Sequence, residues 1–368
     1  MEKIEWSRSK RLQKKKKKRK WVYRVITLSI LAVFIIGGYL FYQVWGALAG
    51  TYDPLNRGKS SKRDTAVTMD DPFTILLIGS DNRKASSDWR PDVLILAAVN
   101  PHTNSVKMVS IPRDTYTKIA NTDQKTKINA SAYWGKPEVN PKGPGPVTNT
   151  ALTVEHLLNV PVDYYVRVNF QGFIDVVDAL GGVDVNVKFP FSQQHFGGEV
   201  IPFKPGPKHL NGNEALAYVR MRKQDPRGDA GRNERQREVM TNLMDRAMSL
   251  STLGKVDELI KAVGDNLQLG IDPKDIPRLQ SIYKKIPKKN IQNVQINGEN
   301  KRLDLWYYFI PDSERQRLSD ILRKQLELKK EPIEPMHTEL QDAENNQGSG
   351  MSTADTGTQE TSDQGQAY

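Results

Sequence analysis

Near the N-terminus an unbroken basic run, residues 14–20, gives way to a stretch, residues 25–52, that contains no acid or base. Within it, residues 25–45 are mostly Ile, Leu, Val, Phe, Gly and Tyr, and as a helix they are long enough to cross the ~30 Å of a bilayer's hydrocarbon. Trp21, Tyr23, Tyr42 and Trp45 fall near the two ends, where amphipathic rings settle at membrane interfaces. Basic flanks stay on the cytoplasmic side, so the pattern predicts a single-pass type II anchor with everything after it outside the cytoplasm. Ala47-Leu48-Ala49 offers a small-x-small cleavage site, but the apolar run is long for a signal peptide, and cleavage would export the same domain.

The pattern then divides the rest of the chain. Residues 1–24 form a basic cytoplasmic segment and residues 46–72 read as a polar extracellular linker. Strand-like apolar runs follow at 73–78, 92–99, 106–111, 164–168 and 183–187, alternating with helical patterns at 150–158, 170–180, 213–218, 232–250, 256–263 and 313–328. This mixture predicts one α/β domain over residues 73–330, with a central sheet that is mixed or contains antiparallel pairs and is flanked by helices. Residues 331–368 are rich in Gln, Ser, Thr, Gly and acids and almost without large apolar residues, so they are expected to be disordered and to add nothing to the fold.

Composition changes the picture in two places. The net charge of +11 divides into +10 for residues 1–24, −8 for residues 331–368 and +9 for the body between them. A basic body suits an anionic substrate, but there is no arginine-rich helix, zinc spacing or RNP-like aromatic motif, and no nucleic acid partner is expected. The absence of cysteine excludes disulfides, thiol catalysis and Cys-ligated metals. His102, His156, His195, His209 and His337 are scattered, with no H-x-x-x-H spacing, so zinc hydrolase chemistry has little support.

The candidate chemistry lies at strand ends. The first strand ends Ile78-Gly79-Ser80-Asp81 and the second begins Arg90-Pro91-Asp92, with a connection too short for a helical crossover. The two are therefore expected to be antiparallel, with Asp81 and Asp92 at the same end of the sheet. The third strand runs back to that end and finishes Ser110-Ile111-Pro112-Arg113-Asp114. Two carboxylates among arginines suit a hard divalent cation that neutralises phosphate oxygens; loop carboxylates simply paired with loop arginines are the competing reading. Further along, Tyr218-Val219-Arg220-Met221-Arg222 puts both arginines on one face if extended. A loop from Asp225 to Gly231 then leads to a helix whose Arg232 and Gln236 share a face at its N-terminus, where free N–H groups and the helix dipole favour an anion. The same stripe continues through Val239, Met240, Leu243 and Ala247, either as core packing or as part of the lining of a lipid tunnel.

In this order the motifs resemble the LytR-CpsA-Psr family of cell-wall ligases. The resemblance rests on Ile75-Leu76-Leu77-Ile78-Gly79-Ser80-Asp81, Arg90-Pro91-Asp92, Ser110-Ile111-Pro112-Arg113-Asp114, Lys127-Ile128-Asn129-Ala130, Asp178-Ala179-Leu180-Gly181-Gly182-Val183, and Tyr218 to Arg222 leading to Asp229 to Gln236. It implies transfer of an anionic glycopolymer, such as wall teichoic acid, from a polyprenyl-pyrophosphate carrier in the membrane to a hydroxyl of peptidoglycan in a Gram-positive type of envelope. It further implies Mg²⁺ (or Mn²⁺) held by Asp81 and Asp92, and pyrophosphate contacts from Arg90, Arg113, Arg220, Arg222, Arg232 and Gln236. Asp229 would help deprotonate the acceptor, with Arg113 and Arg220 completing the catalytic set, and Val239 and Leu243 would meet the lipid tail. Lys136 after Tyr133-Trp134-Gly135 departs from the family pattern, which often has a second Gly there. Arginines plus a metal, without a Ser-His-Asp set, are what phosphoryl transfer by positioning and charge neutralisation requires. Two other functions use the same residues: a hydrolase in which water attacks, and a non-catalytic protein that only holds the lipid-linked polymer.

Overall fold

The computed structural model of the protein describes residues 52–55, 57–80, 89–195, 198–249 and 263–336. The predicted anchor, Asp81, almost all of the helical pattern at 256–263, and residues 337–368 lie outside them. In chain order the strands are β1 (Phe73–Ser80), β2 (Pro91–Asn100), β3 (Ser105–Ile111), β4 (Tyr116–Lys118), β5 (Lys125–Lys127), β6 (Tyr164–Asn169), β7 (Val183–Val187), β8 (Phe191–Gln194), β9 (Val200–Phe203), β10 (Gly206–Leu210), β11 (Leu267–Leu269), β12 (Ile291–Val294), β13 (Glu299–Arg302) and β14 (Trp306–Phe309). The α-helices are α1 (Ser131–Trp134), α2 (Pro146–Leu158), α3 (Phe170–Ala179), α4 (Gly212–Arg220), α5 (Asp229–Ser249), α6 (Ile276–Lys285) and α7 (Asp312–Gln325).

The central sheet is mixed, in the order β11-β6-β1-β2-β3-β12. β1 and β2 pair antiparallel, as their short connection requires, and so do β2 and β3. β6 is parallel to β1 and β12 to β3, while β11 runs antiparallel to β6. The carboxyl ends of β1, β3 and β6 and the amino ends of β2 and β11 therefore gather at one end of the sheet.

Both sheet faces are covered, which is why the strands read as nearly continuous apolar runs. Side chains alternate between faces: Leu76, Ile78, Leu94 and Leu96 meet α2 and α7, whereas Phe73, Ile75, Ile95 and Ala97 meet α6 through Ile282. A third apolar cluster joins β7 to β10 with α3, α4 and α5, and in it the rings of Phe191 and Phe203 stack at 4.5 Å.

Two arginines of α7 are fully buried, and their partners are mostly backbone carbonyls. Arg315 donates from Nε to Leu157 O at 3.0 Å and from Nη2 to His156 O at 3.2 Å, and Arg323 donates from Nη1 to Asn159 O at 2.9 Å. These are carbonyls at the end of α2, which lack intrahelical partners and carry the negative end of the helix dipole, so buried cations are favourable there.

Two boundaries differ from the sequence pattern. The stretch read as polar linker is pinned to the domain: Arg57 pairs with Glu155 at 2.7 Å, Arg63 pairs with Asp163 at 2.8 Å, and Met69 is buried. At the other end, residues 331–336 pack on α7 instead of hanging free. Glu331 pairs with Arg323 at 2.8 Å, Gln316 Oε1 accepts from Ile333 N–H at 2.9 Å, and Met336 is buried in the core. Polar composition hides both segments because charged partners and one well-placed methionine in each hold them, not an apolar run.

Candidate active site

A cavity of about 1160 Å³ opens where those strand ends meet α3, α4 and α5. That is slightly above the roughly 300–1,000 Å³ of ordinary small-molecule pockets. Its body is apolar, formed by Leu77, Ile95 and Val166 of the sheet facing Phe173, Leu216 and Met240 of the helices. Its mouth is polar, with Asp92, Arg113, Arg220, Arg222, Arg232 and Gln236. Deeper along the same sheet face lies a smaller void of about 60 Å³, which shares Leu77 with the large cavity and is bounded by Met108, Met244 and Ile282. Such a space takes a molecule with a long apolar part and an anionic head.

Each mouth residue has a local reason for its place. A β-bulge between Gly79 and Ser80 turns the end of β1, and a Cβ at Gly79 would meet Val93 Cβ at 2.9 Å, so only glycine lets the strands approach there. Arg113 follows β3 and donates from Nη1 to Asp92 Oδ1 at 2.8 Å, and Asp114 beyond it accepts from Lys127 Nζ at 2.7 Å. The side chains of Arg113 and Asp92 are 33% and 25% exposed, so the pair adds little stability and stays accessible to a ligand.

Arg220 and Arg222 do not sit on an extended strand. The chain there is the end of α4, which starts in a capping box between Asn211 and Glu214 and buries Ala215, Leu216 and Val219. Arg220 is its last residue, its guanidinium 5.1 Å from the Phe170 ring centroid, and Arg222 lies two residues further on in the loop. Both nonetheless line the cavity, because the intervening Met221 turns inward and is fully buried.

On α5, Arg232, Gln236 and Met240 follow one another at intervals of four and all face the cavity. Val239 and Leu243 do not. Both are buried in the cluster with β7 to β10, 1% and 6% exposed, so the assignment of these two to a lipid tail is corrected: Met240 lines the cavity, and they are core. Arg90 is exposed at the amino end of β2 but is not among the lining residues. Asp229 opens α5 at the rim, though its side chain is not among those described. Asp81 lies outside the described residues. No histidine lines the cavity among the described residues. Lys136, the departure from the family pattern, is buried, its ammonium 5.6 Å from the Tyr133 ring centroid.

Asp92 is a carboxylate at the mouth, of the donor type that hard divalent cations take. Among the described residues no group of three or more His, Asp or Glu could enclose a metal by itself. That is compatible with Mg²⁺, which is held by one or two carboxylates and completed by water and substrate phosphate oxygens. The donor type at the mouth therefore fits.

The residue that organises the mouth carries no signal in the sequence. Arg235, 5% exposed, points away from the cavity and donates from Nε to Tyr218 O at 3.1 Å, from Nη1 to Asp225 Oδ2 at 2.5 Å, and from Nη2 to Met221 O. It ties both ends of the loop bearing Arg222 to α5. Burial opposes ionisation of Asp225, but the Arg227 N–H, the Arg235 guanidinium and the Arg227 charge outweigh it and hold the carboxyl below its ordinary range. A Cβ at Gly231 would come within 1.8 Å of Asp225 Oδ2, so glycine is required where α5 passes this carboxylate. Arg237 donates to Ser110 Oγ at 3.1 Å and ties α5 to β3, and burial lowers its pKa.

Fold and mouth together define a class: the chain belongs to the LytR_cpsA_psr family, which matches it over residues 39–325. More particularly, it is 40% identical over 315 residues to the polyisoprenyl-teichoic acid–peptidoglycan teichoic acid transferase TagU of Bacillus licheniformis, covering 84% of this chain and 96% of that protein. With TagU of Bacillus subtilis it is 39% identical over 318 residues, covering 85% and 97%. Among solved structures it resembles B. subtilis TagV, with a TM-score of 0.61 and 36% identity over 71% of this chain and 99% of that one. It also resembles TagT bound to LI-WTA, with a TM-score of 0.61 and 30% identity over 75% and 100%.

Proposed function

We propose that this chain transfers an anionic glycopolymer from a polyprenyl-pyrophosphate carrier to a hydroxyl of peptidoglycan. The observation that carries the reading is the cavity itself, apolar in its body and ringed by arginines at its mouth. A prenyl chain occupies the apolar body and the pyrophosphate lies among Arg113, Arg220, Arg222 and Arg232, with Gln236 as a further donor. The acceptor oxygen forms a bond to the phosphorus that bears the glycan. The bridging P–O bond to the carrier breaks, and its electron pair departs on the polyprenyl phosphate. The acceptor proton passes to a base, for which Asp229 at the start of α5 is the candidate, and the product is a phosphodiester.

Charge neutralisation accounts for most of the catalysis. Planar guanidinium forks match phosphate oxygens, and the positive end of the α5 dipole lies at the same mouth, where it favours an anion. Asp92, with Asp81, would hold Mg²⁺ (or Mn²⁺), which supplies Lewis-acid stabilisation of the phosphate oxygens when bound. Residues 25–45 anchor the chain, residues 1–24 stay in the cytoplasm, and the domain works on the outer face of the membrane beside its lipid-linked donor.

The test is the full-length protein with a lipid-pyrophosphate-linked glycan, with and without peptidoglycan. Peptidoglycan-dependent appearance of a phosphodiester-linked product is expected. Release of free polymer whether or not peptidoglycan is present would point to a hydrolase, and donor binding without turnover to a carrier protein. Asp92→Asn is expected to abolish the response to Mg²⁺ while leaving the fold intact; a retained response would remove Asp92 from the metal site.

A further inference from the structure

Exposed large apolar side chains concentrate at one point of the described surface. Leu303, Leu305 and Trp306, at the tip of the β13–β14 hairpin, are 43%, 53% and 60% exposed. The tip is rigid: Leu303 N–H donates to Leu305 O at 2.9 Å, and the Tyr307 hydroxyl donates to Asp304 Oδ1 at 2.8 Å, drawing that carboxylate back toward the hairpin. The hairpin is seated by an aromatic cluster, with the Tyr116 ring 5.2 Å from Tyr307 and 4.8 Å from Phe309. Lys301 and Arg302 precede the tip, and Lys127 lies 5.7 Å from the Tyr307 ring centroid.

The hairpin also stands beside the mouth of the cavity. Tyr308 N–H donates to Asp114 O at 2.9 Å, and Thr115 and Tyr308 form a parallel bridge. Stepping back from Tyr308 to Trp306 therefore runs alongside the step from Thr115 back to Arg113, toward the residue that lines the mouth.

The path of the chain says what lies over that end. Tyr52 bridges Leu269 in parallel, and Asp53 N–H donates to Leu269 O at 2.9 Å. β11 starts at the mouth end of the sheet and runs away from it, since Leu267 pairs with Val168 and Leu269 with Val166. From Tyr52 to Asp53 the chain thus runs parallel to β11, away from the mouth end. Only residues 46–51 separate Tyr52 from the apolar run at 25–45, a reach of at most about 20 Å.

We infer that the β13–β14 tip is a second membrane contact, inserting Leu303, Leu305 and Trp306 into the headgroup region of the outer leaflet and holding the cavity mouth against the bilayer. This rests on the anchored reading above. Two leucines and a tryptophan, with lysine and arginine behind them, suit an anionic lipid interface. A sugar would use the tryptophan face but gains little from the leucines.

The chain has no cysteine, so one residue at a time can be labelled in the full-length protein. Leu305→Cys, Lys289→Cys at the opposite end of the sheet, and Leu40→Cys within the apolar run are each given an environment-sensitive fluorophore. Each is then reconstituted in phosphatidylglycerol-containing vesicles carrying nitroxide-labelled lipid. A label ~5–10 Å into the interface is expected to be quenched at least about twofold more at position 305 than at position 289. Strong quenching at position 40 with none in excess at 305 overturns the proposal and leaves the anchor standing. Absence of quenching at position 40 refutes the anchor instead. A parallel assay uses Trp306→Ala with bilayer-embedded and with short-chain, water-soluble donor. Loss confined to the embedded donor is expected; equal loss with both would assign the tip to glycan and overturn the membrane contact.

Discussion

Replacing Arg235 by methionine separates the residue that shapes the mouth from those that touch the ligand. The substitution keeps most of the side-chain volume but removes every donor to Tyr218 O, Met221 O and Asp225 Oδ2. It leaves the Asp225 carboxylate, whose side chain is fully buried, with the Arg227 N–H at 2.9 Å and the Arg227 guanidinium at 3.4 Å. Removing one partner of a buried ion pair costs about 3–5 kcal/mol, and the remaining Arg227 contacts place this case near the low end. For a domain of this size ~3 kcal/mol corresponds to a fall in Tm of about 6–12 °C. The pH dependence adds an independent check. In the parent the Asp225 carboxyl lies below its ordinary range, so the stability it contributes is present above that range and is lost as pH falls through the lowered value. In the variant burial is less opposed, the carboxyl takes up its proton at higher pH, and the stability gap to the parent is expected to narrow as the solution is acidified. Thermal unfolding between neutral pH and pH ~4 measures both effects. An unfolding temperature within about 1 °C of the parent at neutral pH would refute the view that Arg235 holds the loop.

The other predictions follow from the same geometry. Arg222→Lys keeps the charge but loses the planar fork, so it is expected to lower kcat/KM by about 10- to 100-fold, equivalent to about 1–3 kcal/mol, with no change in Tm. Transfer within twofold of the parent would place the pyrophosphate elsewhere. Met240→Trp is expected to narrow the cavity and weaken donor binding with little effect on stability, whereas Val239→Ala is expected to destabilise by about 1–3 kcal/mol and spare donor affinity. The reverse outcome would put Val239 on the lipid path. Ending the chain after Lys330 is expected to lower Tm by several degrees through loss of the Met336 burial and the Glu331–Arg323 pair, while ending it after Met336 changes nothing; equal unfolding temperatures for the two truncations would contradict the docking of residues 331–336.

The long strands β1, β2 and β3 are legible because burial on both faces leaves nearly unbroken apolar runs, and their connections dictate direction. The short pairs, β8 with β9 and β13 with β14, are not, since four residues hold too little periodicity. The mouth arginines stand out as a set by charge and motif. Their backbone does not: Arg220 ends a helix that the stretch around it can equally write as a strand. Within α5, Arg232, Arg235 and Arg237 are of one chemical type, yet one faces the cavity, one is turned under a loop and one is tied to β3. Helical phase relates them to each other, but only the packing of α4 and β3 against the helix decides which meets the ligand. The same rotation separates Met240 from Val239 and Leu243.

The clamp that α7 places on the end of α2 sets the order in which the domain can be completed. Arg315 and Arg323 close on carbonyls more than 150 positions earlier, the Asn100 side chain donates to Gln325 O, and residues 331–336 then cover α7. Until α7 is available, α2 alone covers its face of the sheet and ends in unsatisfied carbonyls. Long-range closure of this kind is slow and leaves the earlier chain loosely held. A chain whose residues 312–336 have yet to emerge thus stays pliable along its length, and the domain locks only when that last segment closes on α2.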